Sequence, residues 1–266
     1  MGGPQVALKS QGQTSRNLAK ALARVKHNFH HFIHLRSSIK PRMVCHVKLP
    51  CEIPVMVLPN AVLFPQAIMP LRIFEPRYRE MLATALETDR IFSIALMKRG
   101  WEKLPIDPPV HETVGVGLIR ISNRQPDGTS QLLLQGVGRA RIVGFRQMNP
   151  YRVARIEELQ THHADCVKVD ALSAKVSELV QKLSKLGHAP SKPVLNHITS
   201  QTSPEQLTDI ASDLLLSDAY AKQQLLEALD LRDRLHQLVF FLHQEVQRIA
   251  MMKKLQGPGD GITGIN

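Results

Sequence analysis

At 266 residues with 43% hydrophobic side chains, the chain can form one large or two modest domains with filled cores, and no apolar run reaches the roughly 18 residues of a membrane-spanning helix. Its three cysteines, Cys45, Cys51 and Cys166, are odd in number and lack a CxxC pair, which argues against a disulfide framework and for a reducing compartment, the cytoplasm. The formal charge of +11 is local: residues 1–42 carry eight basic and no acidic residues, leaving 26 of the 34 basic residues against 23 acidic ones in a nearly neutral body. A nucleic-acid footprint would have to lie in that segment, and RNA binding by the body is disfavoured further by its single Trp and three Tyr.

The first expected unit, residues 1–50, is a basic extension. Leu18, Leu22, Val25, Phe29 and Phe32 recur at helical steps with Arg16, Lys20, Arg24 and Lys26 largely off the stripe, which describes a basic amphipathic helix. Three readings fit it: an organellar targeting peptide, a helix for a membrane surface or another anionic partner, or sequence upstream of a start at Met43. His27, His30, His31 and His34 share a helical face that could hold a metal ion, with a solvated face as the plainer reading.

From residue 51 to 160 the pattern is that of short strands. Cys51–Leu58, Met69–Phe74, Ile91–Leu96, Val114–Ile121, Gln131–Val137, Arg141–Phe145 and Tyr151–Glu157 are rich in β-formers, and Pro59, Pro65 and Pro70 break the first of them into pieces suited to a sheet edge or barrel rim. One helix interrupts them, opening at Pro76 and carrying Tyr78, Met81, Leu82, Ala85 and Leu86 at helical spacing. Pro126-Asp127-Gly128 predicts a hairpin turn, and Gly115 and Gly117 predict a bulge or a close backbone approach. So many short strands and turns favour a closed or nearly closed barrel.

After Gln160 the period becomes 3.6, marking a helical unit over residues 165–256 and a flexible tail over 257–266. Leu172, Val176, Leu179, Leu183 and Leu186 form one stripe with Asp170 as its expected N-cap and Gly187 as its stop. A second helix starts at Ser203-Pro204, a short one spans Asp218 to Leu229, and a long one carries Leu231, Leu235, Leu238, Leu242, Val246 and Ile249 to about Leu255. Gly257-Pro258-Gly259 ends it. His162, His163, Asp165 and Cys166 cluster in the connecting segment, where a solvated linker is the simpler reading than a metal site.

The runs PVMVLPNAVLFPQAIMPLRIFEPRYREML (Pro54 to Leu82), DPPVHETVGVGLIRI (Asp107 to Ile121), QPDGTSQLLLQGVGRARIVGF (Gln125 to Phe145), YRVARIEEL (Tyr151 to Leu159) and the helical stretch Asp213 to Ile249 together resemble the Lon N-terminal, substrate-binding domain family, over about Ile53 to Leu255. The likeness is to its stand-alone members more than to the full-length protease. Three positions depart from the family pattern: Gln66 stands where Gly is usual after the Phe-Pro pair, Arg72 where His is common, and Val116 where stand-alone members often carry Cys. The resemblance implies an α+β fold, a PUA-like β pseudo-barrel followed by a C-terminal helical bundle ending in a long helix. Because that family-like body begins shortly after Met43, a start at Met43 is the favoured reading of the basic extension.

Catalytic signatures are missing. There is no GxxxxGK[ST] phosphate loop and no GxSxG elbow, His111-Glu112 fails as HExxH because Gly115 holds the second His position, and Glu157 and Glu158 point to opposite faces of a strand. The expectation is a non-catalytic module, without cofactor or metal, that binds unfolded or exposed polypeptide segments. Its binding candidates are Phe64, Pro65, Met69, Phe74, Arg77 and Tyr78. Phe64, Leu71 and Phe74 are expected in the core and Arg77 in a local ion pair with Glu75, so Tyr78 and Met69 are the better candidates. A scaffold pairing through the long helix, with itself or a partner, is the alternative, and RNA binding the weaker third.

Overall fold

The computed structural model describes residues 48–101, 107–162, 166–187, 198 and 203–255. The basic amphipathic segment, its histidines, Met43, the loop around Pro190 and Pro193, and Gly257–Gly259 lie outside them. Among the described residues, six strands with one helix after the second are followed by four more helices. They are β1 (Glu52–Leu58), β2 (Ile68–Ile73), α1 (Pro76–Glu87), β3 (Ile91–Leu96), β4 (Thr113–Arg124), β5 (Ser130–Gln147), β6 (Arg152–Leu159), α2 (Cys166–Lys185), α3 (Pro204–Leu215), α4 (Ala219–Glu227) and α5 (Leu231–Leu255).

Pairing closes the sheet on itself. β1 lies parallel to β3 and antiparallel to β6, β3 pairs with β4, β4 with β5, and the second half of β5 returns to β6. β2 adds to the first half of β5 only, from Ile68 opposite Gln135 to Ile73 opposite Ser130. It is the end strand of the sheet order among the described residues. The α+β pseudo-barrel expected from the sequence is the fold observed.

β5 is the chief difference from the sequence expectation, which broke it in two. The strand runs unbroken for 18 residues and serves three partners, β2, β4 and β6. Glycine is needed here for space. A Cβ at Gly136 would overlap the Phe64 carbonyl, and one at Gly115 would overlap that of Leu63, so both strands pass directly against the loop before β2. The expected bulge is present as a register shift between Val116 and Gly117. The hairpin turn also forms as expected: Gly128 has φ 76°, and the Thr129 amide and hydroxyl donate to the Asp127 carboxylate at 2.9 and 2.7 Å.

The barrel core contains Ile53, Leu63, Phe64, Phe92, Ile94, Leu96, Ile119 and Leu134, all fully buried, and α1 caps it with Tyr78, Met81, Leu82 and Ala85. All six residues of β3 are buried, as suits a strand covered on both faces. In the helical half, Val176, Leu179, Val180 and Leu183 of α2 meet Leu231, Leu235, Leu238, Leu242 and Ile249 of α5. α2 starts at Cys166, about one turn earlier than expected, so Asp170 lies inside it and not at its cap. An acid near a helix start is favoured by the helix dipole as well as by capping, and the two signals look alike in sequence. Asp218 does cap α4, accepting from the Tyr220 amide at 3.0 Å.

From Leu49 on, the described residues belong to one compact unit. Its two halves share a polar seam. Arg139 of β5 donates to the buried Asp209 of α3, Arg234 of α5 reaches the same carboxylate at 3.4 Å, and Thr161 donates to Glu205 of α3. Arg234 is fully buried, and its Nε and Nη2 also donate to the Ala228 carbonyl at 2.7 Å and to Thr161 Oγ1 at 3.0 Å. Burial, with Arg139 adding repulsion, lowers the Arg234 guanidinium to about 10, which leaves it charged at neutral pH. Burial pushes the Asp209 carboxyl up, while the two guanidiniums pull it back towards ionisation. Around this core, Gln223 Nε2 donates to the Thr113 carbonyl at 2.8 Å and the Tyr220 hydroxyl to the Met97 carbonyl at 3.2 Å.

Candidate functional site

The Glu75-Pro76 step turns the chain from β2 into α1, and Pro76 occupies the first helical turn, where its missing N–H costs nothing. The next two residues therefore leave the barrel rim on a fixed helical path. Tyr78 turns inward under β1, where its hydroxyl accepts from the Val57 amide at 3.1 Å and donates to the Val57 carbonyl at 3.2 Å. Burial raises the phenol above its ordinary value, so it stays a neutral, two-way hydrogen-bonding group. Arg77 turns outward. Its guanidinium sits 4.5 Å from the Tyr78 ring centroid, and its Nε donates to Glu75 at 2.9 Å, the local ion pair expected from the sequence.

Beside this pair lies a cavity of about 270 Å³, with Val57, Tyr78 and Arg77 on one side and Pro108, Met148 and Arg152 on the other. Arg152 is buried: Nη2 donates to the Pro108 carbonyl at 2.8 Å, the Asp107 carboxylate stands 3.6 Å away, and the Phe145 ring lies 5.4 Å from its guanidinium carbon. Asp107 holds a left-handed backbone at φ 43°, and the Asn149-Pro150 bond on the same wall is cis. Phe145 and Met148 are exposed at this side of the barrel. The volume falls just below the roughly 300–1,000 Å³ of small-molecule pockets and suits one or two amino-acid side chains. Among the described residues there is no group of His, Cys, Asp or Glu able to hold a metal ion.

The six residues singled out from sequence are not gathered in one place. Arg77 and Tyr78 line the cavity. Phe64 is fully buried in the barrel core, so its side chain is out of reach of a ligand in this conformation. Pro65 and Met69 are half-buried in and before β2, with Met69 packed on the core from its edge. Phe74 was expected in the core but is 62% exposed. Strand alternation explains it: Ile73 points inward, so the next side chain points out. Sequence reasoning missed Asp107, Phe145, Met148 and Arg152. The only local signal was the Asn149-Pro150 turn, since Arg152 and Phe145 look like ordinary strand residues.

The architecture defines an α+β module, a pseudo-barrel with a helical half, carrying a side-chain-sized cavity at its rim. The chain belongs to the ATP-dependent protease La (LON) substrate-binding domain family, whose model matches residues 52–244. It is 25% identical over 213 residues to the Lon protease of Dictyoglomus thermophilum, covering 78% of this chain and 26% of that protein. Its fold is like the N-terminal domain of Mycobacterium avium complex Lon protease (TM-score 0.58, 18% identity, 72% of this chain and 98% of that one). It is also like a Lon N-terminal domain protein from Xanthomonas campestris (TM-score 0.51, 20% identity, 71% and 98%). The chain spans about a quarter of the length of the curated relatives it matches. The matched region is the substrate-binding domain alone, whose general role is substrate recognition. No helix among the described residues is long and apolar enough to cross a membrane.

Proposed function

We propose that the chain is a non-catalytic polypeptide-binding module that recognises unfolded or exposed segments of client proteins in the cytoplasm. The observation that carries this reading is the rim cavity: it has the size of a side chain, its walls are fixed by Tyr78 and Arg152, and exposed Phe145 and Met148 stand beside it. A client side chain enters the cavity, Arg77 and Met148 adapt to it, and the main chain of the segment runs along the rim with few sequence demands. The β2 edge, with Met69 on its inner side and Phe74 exposed beyond its end, offers a second stretch for an extended segment.

Fluorescence titration of the full chain with a labelled, permanently unfolded polypeptide and with single-stranded RNA tests the reading. Saturable polypeptide binding that weakens in Met148→Asp supports it. Saturable RNA binding with a steep salt slope and no polypeptide binding would reverse it. Incubation of the polypeptide with the chain alone is expected to yield no cleavage products.

A further inference from the structure

The polar groups around the rim cavity are unequally satisfied. Arg152 exposes only 7% of its side chain, and among the described residues its one hydrogen bond runs from Nη2 to the Pro108 carbonyl. Its Nε and Nη1 have no acceptor there, yet neither atom is sealed in protein, since Arg139 Nε is the sole fully buried side-chain nitrogen or oxygen without a partner among the described residues. With the Phe145 ring against it at 5.4 Å, the guanidinium has the cavity it lines as its open side. α1 begins at the same cavity. Its N-cap residue Glu75 makes no side-chain cap bond, its first turn holds no acid, and the Arg77 amide has no acceptor among the described residues. The positive end of the helix dipole therefore stands uncapped beside Arg77 and Tyr78.

A buried guanidinium without a hydrogen-bonded counter-charge is costly. The Asp107 carboxylate that faces Arg152 is 3.6 Å from Nη2, beyond hydrogen-bond distance, and 41% exposed, so water screens much of its field. Glu75 is committed to Arg77, whose Nε and Nη2 it holds at 2.9 and 2.8 Å. We infer that the cavity is a carboxylate site: an acidic side chain of a bound segment, or the carboxyl end of a client chain, enters it and accepts from the open nitrogens of Arg152. Arg77 and the start of α1 add positive field from the opposite wall. The inference rests on the reading of the cavity as a client site and gives the group that enters it a chemical class. A glutamine offers the same donors an acceptor without the charge, a lysine meets two guanidiniums, and an apolar side chain leaves the open nitrogens dry. The Tyr78 hydroxyl proton is committed to the Val57 carbonyl, so Tyr78 shapes the wall while the guanidiniums supply the donors.

Fluorescence anisotropy of the full chain with labelled alanine-based heptapeptides, amidated at the carboxyl end and carrying Glu, Gln or Lys at the centre, tests it. The Glu peptide is expected to bind about tenfold more tightly than the Gln peptide, and the Lys peptide more weakly than either. The Glu advantage should vanish as the pH falls below about 4, where the peptide carboxyl takes up its proton. A Gln peptide with a free carboxyl end separates the two sources: tight binding assigns the site to chain ends, and weak binding assigns it to acidic side chains. Arg77→Gln should shrink the Glu advantage and Arg152→Gln abolish it, with circular dichroism checking the fold. Should Arg152→Gln not fold, Met148→Lys at the exposed rim is expected to tighten the Glu peptide and leave the Gln peptide unchanged. Equal binding of the Glu and Gln peptides, or none of either, overturns the inference, as does a Glu advantage that survives in the arginine variants or is indifferent to Met148→Lys. Equal binding alongside saturable binding of the unfolded polypeptide leaves the polypeptide-binding reading standing, whereas a Glu advantage without polypeptide binding overturns that reading and keeps the carboxylate site.

Discussion

The barrel and the seam that fastens the helical half to it are both buried, yet they hold together by opposite means. Inside the barrel, Phe92, Ile94, Leu96 and Leu134 contribute apolar area and need no specific partner. At the seam, the ionisable side chains of Arg139, Asp209 and Arg234 are buried and are tolerable only together. Apolar packing degrades with the size of what is removed, whereas a charge network fails through the group left behind. Truncation should expose the contrast. Phe92→Ala is expected to cost about 3–5 kcal/mol through lost transfer energy and a cavity. Asp209→Ala removes far less volume and is still expected to cost about 3–5 kcal/mol, because it strands two buried guanidiniums. Asp209→Asn, which keeps an acceptor for Arg139, should cost less than Asp209→Ala. Urea unfolding of the three variants measures this, and an alanine variant no worse than the asparagine one would mean that a neutral acceptor at this position is idle.

The same contrast separates what was legible in the sequence from what was not. Alternation and turn chemistry marked β1, β3, β4 and the Asp127-Gly128 hairpin to within a few residues, since each rests on local periodicity. Helical spacing did the same for α1 and α5. The seam was illegible because its members lie far apart in the chain, at 139, 209 and 234, and each alone looks like a solvated residue. The candidate site was half legible for the same reason. Arg77 and Tyr78 sit on a conspicuous strand-to-helix turn, whereas Arg152 lines the cavity, with Phe145 against it, only because β5 and β6 bring them together. Phe74 misled in the other direction, since a hydrophobic residue at a strand end gives no sign of which face it takes.

At the rim the contrast becomes functional. Tyr78→Phe leaves the ring in place but deprives the Val57 carbonyl of its donor and the Val57 amide of its acceptor, at an expected cost of about 1–3 kcal/mol. If the cavity wall depends on that anchor, polypeptide affinity should fall together with thermal stability. Stability lost with affinity unchanged would separate the cavity from binding.

A smaller effect, with the opposite sign, is expected before β2. Gln66 has φ 64°, a left-handed conformation that glycine adopts without strain. Its amide donates to the Gly136 carbonyl at 2.8 Å, so the strained turn is held against β5. Gln66→Gly relieves the side-chain conflict and loses some entropy advantage in the unfolded chain, for a net gain of up to about 1 kcal/mol. A lower melting temperature in Gln66→Gly would show that the glutamine side chain contributes a contact that outweighs the backbone strain.

The smallest effect lies on the exposed face of α2, the reverse of the seam: charges that meet in water. Glu178 accepts from Lys175 and Lys182, with the Lys175 pair at 2.8 Å, and these bonds lower its carboxyl from 4.5 to about 2. A depressed folded value means that the unfolded chain binds the proton first as pH falls. The contribution is therefore present above pH 4.5 and lost progressively as the pH drops from 4.5 towards 2. Full exposure lets salt screen it. Melting temperatures of the native chain and Glu178→Gln should differ slightly at neutral pH and low salt, converge across that acid window, and converge also at high salt. A difference that persists in high salt at neutral pH would mean that Glu178 stabilises α2 by packing or helix propensity, and that even the surface of the helical half relies on more than paired charge.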